Sequence, residues 1–192
     1  MKTAAKLLLF VALLSAGCGR ISKSPAAPSG SEEMTASSQD SPMRALRSEI
    51  LTKRPQEFGL TPSERFPRVY GVVMDWPIDG QTVSVVGLSD GNASLYTTGT
   101  FGIIGGVSHD SVRAAAQDLV RAAEPFHDAA QPTRDFSYPA AGTVRFYLLT
   151  FSGTRVIELP ESELSAGTAE LSSVWNGAQR LITELHQTSE KS

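Results

Sequence analysis

The chain has one cysteine, Cys18, among 192 residues. No internal disulfide can form, and no Cys-x-x-Cys metal or redox site exists. The three histidines, His109, His127 and His186, are scattered, and none forms His-Glu-x-x-His. There is no Gly-x-Ser-x-Gly elbow and no phosphate loop ending in Gly-Lys-Ser or Gly-Lys-Thr. No catalytic residue, metal ligand set or cofactor is therefore assigned. Positive charge is also scarce: 17 Lys and Arg stand against 20 Asp and Glu. That balance excludes the basic excess expected of a nucleic-acid partner. Apolar runs are short, the longest lying at Leu7–Leu14, too short to cross a bilayer, which takes about 20 residues.

What is present begins with that run. Lys2 and Lys6 precede it, and small Ser15, Ala16 and Gly17 follow it. Residues 1–17 thus read as a signal peptide. Leu14-Ser15-Ala16-Gly17-Cys18 resembles the lipobox of bacterial lipoproteins, with Ser15 where that family favours Leu. The resemblance implies a diacylglycerol on the Cys18 thiol and cleavage before it, giving a protein secreted and lipid-anchored to a cell membrane. Gly19 after the cysteine, in place of Asp, implies the periplasmic face of the outer membrane if the source is Gram-negative. Two or more acyl chains anchor stably where one is marginal.

Residues 18–43 then read as the lipidated cysteine and a disordered tether, rich in Ser, Ala, Pro and Gly. Its 25 residues after Cys18 would span an r.m.s. distance of roughly 25–30 Å. Residues 44–68 carry a net charge of +3 and residues 69–192 a net charge of -7. The basic part either faces anionic headgroups or is an ordinary solvated helix face.

Residues 44–189 are expected to form a single α+β domain. Leu46, Ile50 and Leu51 place a helix over 43–53, and Pro55–Gly59 adds a turn. Residues 69–76 alternate with Tyr70, Val72, Met74 and Trp76 on one face. Further strands are expected at 81–88, 93–98, 143–151 and 155–159, with Asp90-Gly91 as a hairpin signal. One long helix starts near Ser108 and buries Val112, Ala115, Ala116, Leu119, Val120 and Ala123. A short turn covers Glu161–Leu164. The last helix spans 169–187. The order α-β-β-β-α-β-β-α implies about five mainly antiparallel strands, with both long helices against one face. This order resembles profilin-like and roadblock-like domains. The stretch from Val69 to Leu185 is also similar to conserved bacterial domains without an assigned activity.

One segment stands out as a candidate site, Gly99 to Asp110, between a strand and a helix start. A helix N-terminus offers free N–H groups, and glycines let a ligand approach the backbone. Gly105, Gly106 and Ser108 would hold a small anion or ligand, with His109 as a polar contact. The competing reading is a tight loop needing positive φ, closing over the core with Ser108 as N-cap. Asp75 and Asp79 suit acid–base work as a pair, though turn chemistry accounts for both. Glu158, Glu161 and Glu163 read as a solvated face, and Tyr147 and Trp175 as core. The leading expectation is a membrane-tethered, non-catalytic interaction module with an envelope protein partner. The alternative is a small-ligand or anion-binding protein, or an enzyme, centred on loop 99–110.

Overall fold

A computed structural model describes residues 41–190. The signal segment, Cys18 and the linker through residue 40 lie outside the described residues.

Helix α1 (Pro42–Thr52) comes first, with proline in its first turn, and a 3-10 turn at Pro55–Phe58 follows. Gly59 ends that turn at φ +70°. Four strands come next: β1 (Val69–Ile78), β2 (Gln81–Leu88), β3 (Ala93–Thr97) and β4 (Gly102–Ile104). Helix α2 (Asp110–Ala123) leads to β5 (Gln131–Pro132), β6 (Thr143–Thr150) and β7 (Gly153–Pro160). Helices α3 (Glu161–Ser165) and α4 (Ser172–Ser189) close the domain.

The seven strands form one antiparallel sheet in the order β4-β3-β2-β1-β6-β7-β5. Strand β1 is central because its residues Val69 to Trp76 are almost all apolar and all buried. The β1–β2 hairpin turns at Asp79 and Gly80, at φ 49° and 76°. Two positive φ values in a two-residue loop match the right-handed strand twist.

The expectation of about five strands is corrected to seven. The additions, β4 and β5, have three and two residues, too few to display a period of two. Pro132 further disguises β5, where only an edge position tolerates proline. The element order is accordingly α-β-β-β-β-α-β-β-β-α-α.

The α2 and α4 helices pack side by side on one face, as their apolar stripes required. Their core holds Val112, Leu119, Val174, Leu181 and Leu185 together with Val72, Met74 and Trp76 of β1. Fully burying one such Leu contributes about 1.5–3 kcal/mol. Trp76 meets Trp175 edge-on at 5.1 Å, an arrangement favoured by ring quadrupoles. Small residues permit the close helix approach: a Cβ on Gly177 would lie 3.4 Å from the Leu119 Cα.

The other face carries a second core. Leu51, Leu60, Tyr70, Val73, Val86, Tyr96, Tyr147 and Leu149 pack there against Met43, Leu46 and Phe136. The α1 helix thus covers the face opposite to the long helices. Tyr70 belongs to this second core, which corrects its expected place beside Val72 and Met74. The pairing of β1 with β6 slips between Val69 and Gly71. One extra residue in a ladder reverses the face of everything before it.

Candidate functional site

The glycine-rich segment is ordered by its neighbours. Strand β4 pairs with β3, placing Ile103 opposite Leu95. The Phe101 carbonyl accepts from the Thr97 N–H (3.0 Å) and Thr97 Oγ1 (2.8 Å). Gly105 adopts φ +82°, where a Cβ would be strained. Gly106 is buried, and a Cβ on it would press on Val112 and Leu185. Its N–H donates to the Ala93 carbonyl at 3.4 Å. The His109 N–H donates to the Gly106 carbonyl at 3.0 Å.

Ser108 is exposed, and the N-cap is His109, whose side chain makes no cap bond. Asp110 supplies a carboxylate in the first turn and pairs with Arg113. Arg113 also donates to the Val107 carbonyl at 2.7 Å. Gly105, Gly106, Ser108 and His109 therefore lie together on one short turn, with two of its N–H groups engaged by protein carbonyls. Large apolar side chains project from the same stretch. Phe101 is 55% exposed, Ile104 62% and Val107 39%.

A polar constellation that periodicity did not reveal lies under α1. Asp75 is fully buried in mid-strand, not in the turn that houses Asp79. Arg47 of α1 is also buried and forks onto it, with Nε 3.1 Å from both carboxylate oxygens and Nη2 bonded to Oδ2. Ser84, opposite Asp75 on β2, donates to Oδ1 at 2.6 Å. Arg47 Nη1 donates to the Phe136 carbonyl at 2.9 Å. The Tyr138 ring covers the guanidinium at 4.1 Å. Burial pulls the Arg47 pKa down, but the bond to Asp75 and its charge outweigh that, and the net direction is up. A saturated, covered pair of this kind holds α1 and segment 136–138 to the sheet. It also takes Arg47 out of the basic face of residues 44–68, whose Arg54 and Arg65 remain exposed. Arg47 faces the core, and Lys53, Arg54 and Arg68 pair with Glu49, Glu57 and Glu124.

Near β7 the surface is concave. Strand β5 pairs β7 only at Arg155 and Val156, so from Ile157 to Pro160 no described strand pairs that side of β7. One cleft of about 430 Å³ is lined by Gln131, Asp135, Arg145, Ile157 and Glu158. A second, of about 690 Å³, is lined by Leu51, Arg134, Phe136, Ser152 and Arg155. Both touch Thr133, so segment 131–136 runs between them. Arg145 is held by Glu158, the Ser137 carbonyl (2.6 Å) and the Tyr147 hydroxyl (3.1 Å). Arg134 is exposed. Glu158 is thus an ion-pair partner, while Glu161 and Glu163 sit in the first turn of α3. Tyr147 is fully buried, and burial raises its pKa. Among the described residues no cluster of three His, Cys, Asp or Glu has metal-binding geometry. Comparison with protein-family models, curated proteins and solved structures finds no match.

Proposed function

We propose that this protein is a lipid-anchored binding module of the cell envelope, held by lipid on Cys18 and working by recognition of a protein partner. The anchor follows from the Leu14–Cys18 resemblance, and Gly19 favours the periplasmic face of an outer membrane. The observation that supports a recognition role is the paired clefts along segment 131–136 at the β7–β5 edge. A short edge strand with open backbone beyond it, flanked by Arg134, Asp135 and Glu158, suits an extended polypeptide. Backbone groups of an added strand would pair with β7, and the charged rim would set specificity.

In-cell crosslinking from position 134, followed by purification and mass spectrometry, tests this. A stoichiometric envelope protein is expected, and a Cys18→Ala control should lose it. An anchored protein that captures nothing at this edge overturns the reading.

A further inference from the structure

The three large exposed apolar side chains among the described residues, Phe101, Ile104 and Val107, fall within seven positions at the opposite sheet edge. Their exposure does not come from a loose backbone. The Phe101 carbonyl is tied to Thr97, β4 is laddered to β3, Gly106 is wedged against Val112, and the Val107 carbonyl holds Arg113. The side chains are presented outward on a fixed support. No Asp, Glu, Lys or Arg occurs from Gly99 to Ser108, so this stretch itself carries no charge into hydrocarbon, while the exposed Arg113–Asp110 pair at Val107 would stay at headgroup level.

The described chain begins at the same edge. Ser41, the first described residue, donates its hydroxyl to the Gly99 carbonyl at 2.9 Å. Met43 lies against Gly102, where a Cβ would collide with its sulfur. Ser41 and Met43 therefore flank Phe101, and Ser41 is where the described domain joins the segment that follows Cys18.

We propose that the Phe101–Ile104–Val107 edge dips into the bilayer that holds the chain's own anchor, as a second, shallow membrane contact. This rests on the lipid-anchor reading. Twenty-two residues separate Cys18 from Ser41, so chain length alone keeps the edge within at most about 80 Å of the anchor. Tethering makes the contact intramolecular in effect, and a weak insertion then suffices. A lipid surface suits this edge better than strand addition, because β4 offers only three residues of ladder. Six inter-strand steps of about 4.8 Å place the β7–β5 clefts about 29 Å away, facing a partner from the far side of the sheet.

The test uses the full chain, purified from membranes and reconstituted in phosphatidylethanolamine–phosphatidylglycerol vesicles containing lipid brominated near the top of the acyl chain. In Phe101→Trp, most of the emission added by residue 101 should be quenched and blue-shifted. Trp76 and Trp175 are buried, and their signal is subtracted using the unsubstituted protein. Ala129→Trp, beside the first cleft, should resist quenching. The mass of the Cys18 peptide reports lipidation independently. A lipidated Phe101→Trp protein whose added emission is not quenched overturns this proposal and leaves the anchor standing. A chain without lipid overturns both.

Discussion

Arg47 and Asp75 show what a single pair can decide. Each charge is buried and its hydrogen bonds are taken up by the other, by Ser84 and by the Phe136 carbonyl. Such a pair adds little net stability over apolar residues of the same size, but breaking it strands a charge, at about 3–5 kcal/mol. Arg47→Ala and Asp75→Ala should each lower stability by that order, measured by urea unfolding. The double variant should lose much less than the sum, because it strands nothing. Additive losses would show that the pair is not coupled. Tyr70 offers a pH test at the same scale. Burial, aided by the charge of Glu57, pushes its pKa from 10.0 up to about 12. The unfolded chain then ionises first as pH rises. Stability is complete below pH 10 and declines from there to about 12, by roughly 2–3 kcal/mol in all. Tyr70→Phe should flatten this alkaline decline in denaturation curves.

Elements meet where glycine lets them. Gly91, in the β2–β3 turn, sits at φ +93° against α2, and a Cβ would lie 2.9 Å from Arg113 Cγ and 3.2 Å from its Cα. Backbone atoms cannot rotate away, so Gly91→Ala should cost about 1–3 kcal/mol through strain and overpacking. Gly106→Ala drives into Val112 and onto Leu185, a β-branched and a leucine side chain that are both fully buried, and should cost at least as much. Thermal unfolding of the two variants measures both losses; a negligible loss for Gly106→Ala would mean that Val112 and Leu185 repack around the added methyl without strain. The bulge at Tyr70 acts at this scale as well. It lets one continuous apolar strand feed Val69 to the α2–α4 core and Tyr70 to the α1 core.

For the whole molecule, the two sheet edges carry opposite surfaces. One edge exposes large apolar side chains, and the other is concave with a charged rim. Phe101→Ser with Ile104→Ser should leave the unfolding free energy within about 1 kcal/mol of the parent, since exposed residues contribute little to folding. Arg134→Glu should likewise fold normally, yet recover less partner after crosslinking from a second position in the same cleft. Unchanged recovery would remove Arg134 from the interface. The α+β class, the two long helices, the main strands and the hairpin turns were legible because each rests on local pattern. Periods of 3.6 and 2, proline at a helix start and Asp-Gly at a turn act over a few residues. The glycine-rich stretch was also visible as a segment, though not that its apolar residues would face outward. Other features were decided only in three dimensions. The two- and three-residue strands exist because a neighbouring strand offers them hydrogen bonds. Tyr70 changes face because β6 pairs with one residue fewer. Asp75 is buried, and not a turn residue, because Arg47 arrives from 28 positions earlier to neutralise it. A period records which residues avoid water; it holds no record of which distant residue will meet them, and that meeting is what tertiary packing supplies.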